Sequence, residues 1–177
     1  MSQLKKSAKS VGTIVFLSLG SKVLGFFREA LIASRYGSGS GTDTFFIALS
    51  AITLFSAVLI QTINTTLIPV LSDVEVHDGK EGKMNYFNNF LNIIIFTSML
   101  IAIFAFFSTP FIMKVLGRGF EGNQLDYAIL LTRLGLPILI ISSTVGALRG
   151  YLQSEQRFAE SAIAAYPFNL VYIIFLF

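Results

Sequence analysis

Cysteine is absent from this chain of 177 residues, histidine occurs once, and charged residues make up only 13% of it. The first absence excludes a disulfide framework, a thiolate zinc site and a cysteine nucleophile, and the second excludes any multi-histidine metal centre within the chain. A soluble domain carries about 25% charged and roughly 45–50% apolar residues. Here 54% are apolar and the mean hydropathy is +0.72, which argues against a water-soluble globule. The 18 phenylalanines and the gathering of charge into short patches leave long stretches suited to hydrocarbon. The net charge of +3 is spread over segment ends, a pattern that fits membrane orientation better than nucleic-acid binding. Nothing in the composition calls for a cofactor.

A helix needs about 20 mostly apolar residues to cross a hydrocarbon core of roughly 30 Å. Four full runs meet that need, at 11–36, 44–71, 87–116 and 127–148, and a fifth starts at Ala159 and is still apolar at Phe177. The pattern predicts an all-α, polytopic membrane helix bundle with four complete transmembrane helices and a cut fifth. A chain that stops in Ile-Ile-Phe-Leu-Phe has no polar flank to hold its end at an interface, so 1–177 reads as an incomplete N-terminal transmembrane lobe that does not work alone. The Gly-Ser-Gly-Ser-Gly stretch at 37–41 reads as a flexible tight link, and 73–83, with Gly79 and Gly82, as a polar loop. With the N-terminus inside, Lys5, Lys6, Lys9, Lys80, Lys83, Arg149 and Arg157 fall on the cytoplasmic side. Arg35, Lys114, Arg118 and Arg133 then fall outside, which favours that orientation. The apolar pattern continues past Ser21-Lys22-Val23-Leu24-Gly25, so the first run reads as a helix rather than a cleaved leader.

Lys22, Arg28 and Glu29 lie inside that first run. Each costs about 2.5–3.5 kcal/mol at mid-membrane, so the three together cost up to roughly 8–10 kcal/mol. The Val, Leu, Ile and Phe residues between Val11 and Ile32 return only about 4–7 kcal/mol, at roughly 0.3–0.6 each. Such a helix needs a wet or protein-covered side. At about 100° per residue with Ser18 as zero, Ser21, Lys22, Gly25, Arg28 and Glu29 all fall within an arc of about 120°. Phe16, Leu24 and Phe27 lie opposite. Lys22 and Glu29 are about 10 Å apart along the axis, too far to neutralise one another directly. In the second run Asp43, Ser50, Thr53, Gln61 and Asn64 also share one stripe, and two such stripes facing each other would enclose a hydrophilic cavity. The structural alternative for Thr53, Gln61 and Asn64 is interhelical hydrogen bonding. Intramembrane cations such as Lys22 and Arg28 more often mark a substrate or ion path.

Other features carry less. Asp73, Glu75, Asp78 and Glu81 match no metal-ligand spacing and, with His77, Lys80 and Lys83 among them, read as a solvated connector. Pro69, Pro110, Pro137 and Pro167 fall in or near the apolar runs, where they kink helices and free backbone carbonyls. Asn85, Asn88, Asn89 and Asn92 read as an interfacial cap on the third run, with a headgroup contact as the alternative. Arg133 either faces the cavity or snorkels outward.

The stretch from Ser21 to Ala33, SKVLGFFREALIA, followed by Tyr36-Gly37 and by Thr42-Asp43-Thr44-Phe45-Phe46-Ile47-Ala48, resembles the start of the MurJ/MviN family of lipid II flippases. Two further blocks, Leu67-Ile68-Pro69-Val70-Leu71 and the stretch from Gly146 to Phe158, resemble the end of that family's second helix and its loop between helices four and five. The resemblance implies a transporter of the MOP superfamily, with about fourteen helices in two lobes around a cationic cavity. It implies residence in the bacterial cytoplasmic membrane and export of lipid II, a polyprenyl-pyrophosphate-linked peptidoglycan precursor, by alternating access. On this view Lys22 and Arg28 take the places of two cavity arginines, Glu29 of the acid beside the second, and Asp43 of an acid at the outer gate. Ser21 and Gly25 share the first stretch, and Gln61 and Asn64 extend the path for the headgroup. The partners implied are the lipid-linked anionic oligosaccharide and membrane lipid, with coupling to the membrane potential, a monovalent cation or a proton. Lys22 offers a flexible ammonium where the family has a bidentate guanidinium, and the second helix lacks the family's Arg-Arg and Glu-Gly elements. Both departures leave room for another lipid-linked oligosaccharide as cargo. A membrane enzyme acting on prenyl phosphates through the acidic stretch, and a scaffold without transport, are the readings of other classes.

Overall fold

With no proline before position 69, nothing in the first run interrupts the backbone hydrogen-bond ladder. The computed structural model accordingly shows one helix, α1 (Ser2–Tyr36), closed by Gly37 at φ 65°, whose amide donates to the Ala33 carbonyl at 2.9 Å. The structure describes residues 2–37 and 39–176, with side chains from Gly12 onward except that of Ile14. The side chains of Lys5, Lys6 and Lys9, on which part of the orientation reading rests, lie outside the described residues, as does Phe177. The chain divides into two compact units, Met1–Gly37 with Glu155–Phe177, and Ser38–Ser154.

In the second unit α2 (Ser40–Leu116) runs as two helical arms that break at one residue, Gly79, at φ 70° and ψ −169°. That conformation is accessible to glycine and costly for any residue with a Cβ. The polar stretch 73–83 is therefore not a loop, as its composition suggested, but two helix ends meeting at a corner. Its charged residues do not break helices, and they pair across or along the ends: Lys83 Nζ lies 2.6 Å from Glu75 Oε2, and His77 Nδ1–H donates to the Asp73 carbonyl at 3.0 Å. Lys83 is also not solvated, being 1% exposed with its ammonium 5.7 Å from the centre of the Tyr151 ring. The asparagines at 85, 88, 89 and 92 lie in the body of the second arm on its exposed face rather than capping a helix start.

The run at 127–148 is divided between α3 (Asn123–Gly135) and α4 (Pro137–Ser154). Pro137 has no amide to continue the ladder, and the Leu136 amide instead reaches the Arg133 carbonyl at 3.3 Å in a tightened turn. The arms of α2 and the α3–α4 pair bury stripes at spacings of three and four: Ala48, Ile52, Ser56, Leu59, Ile63, Leu67 and Leu71 on the first arm, and Phe87, Ile94, Ser98, Ala102, Ala105, Thr109 and Met113 on the second. Ile63, Leu67, Leu71, Phe87, Ile94 and Ala147 form the core nearest the corner, and Ala51, Met113 and Ala128 that at the far end. Gly146 and Gly150, one helical turn apart, bring α4 against the first arm: a Cβ at Gly150 would sit 3.2 Å from Leu67 Cδ2, and one at Gly146 3.3 Å from Ile60 Cγ1. Small residues at this spacing drive close helix packing where lipid supplies no hydrophobic force. Buried hydroxyls satisfy themselves, Ser56, Thr109, Thr132 and Ser143 each donating to the carbonyl four residues back.

Arg133 is explained by Pro110. A proline at 110 leaves the carbonyl four residues earlier, that of Phe106, without its helical donor. Arg133 Nε donates to that carbonyl at 3.2 Å, and the guanidinium lies 4.5 Å from the centre of the Phe106 ring.

In the first unit the last run is interrupted as well, as α5 (Phe158–Ile163) and α6 (Tyr166–Leu176), with Pro167 in the first turn of α6. Both pack on α1. Among the described residues, the helical stretches Ser40–Leu116, Asn123–Ser154 and Phe158–Leu176 are each long and apolar enough to cross a membrane.

Candidate functional site

In the first unit the chemistry gathers where α1 meets α6. Arg28 sits on the polar arc of α1, and its side chain is 20% exposed. One terminal nitrogen donates to Asn169 Oδ1 at 3.2 Å and the other to Glu29 Oε1 at 2.5 Å. The guanidinium carbon lies 5.3 Å and 5.6 Å from the ring centres of Phe168 and Tyr172, within cation–π range. The two rings are themselves 5.0 Å apart. Glu29 thus pairs with its neighbour Arg28 and not with Lys22, as the axial separation required.

Asn169 ties the arrangement together. It is 7% exposed, its Oδ1 accepts from Arg28, and its Nδ2 lies 3.3 Å from the Ser21 carbonyl and 3.4 Å from that of Ala165. Ser21 enters the site through that carbonyl, and Gly25 by leaving room, since a Cβ there would sit 3.9 Å from Asn169 Oδ1. One turn away Tyr166 Oη donates to the Leu17 carbonyl at 2.7 Å, over Gly20, where a Cβ would collide with that hydroxyl. Lys22 is exposed on the same helix and has no partner among the described residues. An anion approaching this face of α1 meets one free ammonium and one guanidinium whose two terminal nitrogens are already engaged.

Asn169, Phe168, Tyr172 and Tyr166 were not among the residues singled out from sequence. The available signal was a lone amide in an apolar run, Tyr-Pro-Phe-Asn-Leu-Val-Tyr, where an unsatisfied polar group is expensive.

In the second unit Asp43, Ser50, Thr53, Gln61 and Asn64 are all exposed along the first arm of α2. Ser50 and Thr53 bond the carbonyls of Phe46 and Leu49 on their own helix, so they do not stitch helices together. The side chains of Asp43, Gln61 and Asn64 have no hydrogen-bond partner among the described residues. The stripe is a polar surface turned away from the core of its own unit.

At the corner of α2 two of the four acidic residues stand in local pairs, Glu75 with Lys83 and Asp73 with His77. Among the described residues no three His, Asp or Glu side chains come together as metal ligands. His77, an exposed side chain, is held above its ordinary pKa, first by the hydrogen bond to the Asp73 carbonyl and then by the Asp73 carboxylate.

Residues 32–177 match the family described as lipid II flippase MurJ. Among curated proteins, the chain is 29% identical over 175 residues to a probable lipid II flippase MurJ of Buchnera aphidicola subsp. Baizongia pistaciae, covering 97% of this chain and 33% of that protein. It is 27% identical over 169 residues to the protein of the same description from Rhizobium tropici, covering 93% and 32%. The lipid II flippase MurJ of Burkholderia cenocepacia is 20% identical over 164 residues, covering 91% and 32%. The chain spans about a third of the length of the curated relatives it matches. No solved structure matches it. An all-α membrane helix bundle matched by this family over most of its length, the chain belongs to the lipid II flippase MurJ family.

Proposed function

We propose that this chain is the first part of a lipid II flippase of the cytoplasmic membrane and supplies contacts for the anionic headgroup of a polyprenyl-pyrophosphate-linked precursor. The observation that carries the reading is Arg28, a guanidinium kept inside an apolar helix by Asn169, Glu29 and two aromatic rings, with the exposed ammonium of Lys22 on the same face. Two cations on one face of a helix offer a site to an anion, and a pyrophosphate is the anion that a polyprenyl-linked cargo presents. Asp43, Gln61 and Asn64 then line the path of the sugar and peptide, and the chain makes no covalent change to the cargo. The spans at 11–36, 44–71, 87–116, 127–148 and from 159 onward form the N-terminal part of a MOP-type lobe, with the N-terminus in the cytoplasm. Loading neutralises the Lys22 and Arg28 charges, so the membrane potential acts differently on the loaded and the empty carrier, and potential or ion binding drives the return.

The experiment is complementation of flippase-depleted cells by the full-length protein. Lys22→Ala and Arg28→Ala abolish growth, while Asp73→Ala and Asp78→Ala leave it intact. The reverse result favours a prenyl-phosphate enzyme working through the acidic stretch, and survival of all four variants favours a scaffold.

A further inference from the structure

The environment of Arg28 is more built than an anion contact alone requires. A bare arginine on a polar helix face samples many rotamers, and holding it in one costs side-chain entropy. Here α6 fixes it from two directions: an amide at one terminal nitrogen, and the rings of Phe168 and Tyr172 about 5.3 Å and 5.6 Å from the guanidinium carbon. The amide is itself locked. Asn169 is 7% exposed, its Nδ2 is shared between the carbonyls of Ser21 and Ala165, and this orientation forces Oδ1 toward the arginine. The bond to Ser21 also reads the position of α1 directly, because the Ser21 carbonyl lies on the same helix two turns before Arg28. Of the five N–H donors of a guanidinium, Asn169 and Glu29 take one each.

We propose that Asn169 is a positioning residue for anion binding: it orients the Arg28 guanidinium so that the donors not taken by Asn169 and Glu29 are presented to the pyrophosphate group of the cargo. The inference rests on the reading of Arg28 as an anion contact given above. With the Glu29 carboxylate already on one terminal nitrogen, a neutral amide suits this task where a second carboxylate does not. It accepts one hydrogen bond from the guanidinium without neutralising it, whereas a carboxylate would form a bidentate pair and compete with the phosphate oxygens. Preorganising the arginine before the ligand arrives lowers the ordering cost paid on binding.

The test measures binding of inorganic pyrophosphate to the purified full-length protein by calorimetry, alongside its thermal unfolding, for Asn169→Leu, Asn169→Asp, Arg28→Ala and the double variant Arg28→Ala/Asn169→Leu. Asn169→Leu weakens binding about tenfold with an unchanged unfolding temperature. Asn169→Asp, which keeps an acceptor for Arg28, weakens it at least as much. In the Arg28→Ala background Asn169→Leu has no further effect, because the two act through one group. An equal loss with and without Arg28 overturns the positioning role, and so does full binding by Asn169→Asp. If Asn169→Leu unfolds, the comparison of Asn169→Asp with the parent protein decides alone. If Arg28→Ala binds pyrophosphate as the parent does, the anion-site reading itself falls; if Arg28→Ala fails to bind while Asn169→Leu binds normally, only the positioning role falls.

Discussion

Replacing Glu75 by glutamine removes the carboxylate facing a buried ammonium while leaving the side-chain shape in place. Lys83 is 1% exposed and lies 2.6 Å from Glu75 Oε2 across the corner at Gly79. Removing one partner of a fully buried ion pair costs roughly 3–5 kcal/mol, because the remaining charge stays out of water. The Glu75 side chain is 35% exposed, so water already screens its half of the pair and the cost must be discounted. The Tyr151 ring, 5.7 Å from the ammonium, keeps about 0.5–1 kcal/mol of stabilisation in the variant. The net expectation for Glu75→Gln is about 2 kcal/mol, or roughly a 30-fold rise in opening of the corner. Hydrogen exchange in the full-length protein reads this directly, as faster exchange of backbone amides over 71–87 with the rest of the chain unchanged. Lys83→Met removes the buried charge itself, so the double variant Glu75→Gln/Lys83→Met should recover most of the protection. An unchanged exchange rate in Glu75→Gln, or a double variant as unprotected as the single one, would refute the argument that the Glu75–Lys83 pair holds the corner.

Two further predictions follow from the same kind of bookkeeping. Arg133→Met strands the Phe106 carbonyl and costs about 1–3 kcal/mol of stability, but in a Pro110→Ala background the residue at 110 regains an amide for that carbonyl and the cost shrinks, as a double-mutant cycle of unfolding free energies would show. His77 titrates by NMR above the 6.5 of a free histidine, and Asp73→Ala brings it only part of the way back, since the backbone carbonyl remains. Because the folded value is the raised one, the contribution of His77 to the corner is full below about pH 6.5 and lost as pH rises through the folded value.

How much was legible in the sequence depends on whether a feature is satisfied locally. The spacing of Ile63, Leu67 and Leu71 belongs to one helix and can be read as written, so the helical class followed from periodicity and hydropathy. The corner at Gly79 could not be read that way. Glycine within charged residues looks like a loop, and only the pairing of Glu75 with Lys83 across the break makes helix the better solution on both sides. Arg133 and Pro110 each look anomalous alone, yet each answers the other over 23 positions of sequence. Asn169 is the same case at longer range, an expensive amide in an apolar run that becomes useful because Ser21 and Arg28 meet it 141 and more residues away.

This pairing separates the polar residues of the apolar segments into two groups on physical grounds. Ser56, Thr109, Thr132, Ser143 and Arg133 find their partners within their own unit, so their presence is accounted for by folding. Lys22, Asp43, Gln61 and Asn64 find none among the described residues and stand exposed. In hydrocarbon such groups cost several kcal/mol each, so they require water, further protein or a ligand on that side. Arg28 falls between the groups: its two terminal nitrogens are engaged, yet its side chain is 20% exposed. A residue needed only for packing would be satisfied and sealed, and one needed only as a floating charge would not be held by an amide and two rings. Arg133 is part exposed as well, so what sets Arg28 apart within the chain is how many groups hold it, a carboxylate, an amide and two rings against one carbonyl and one ring.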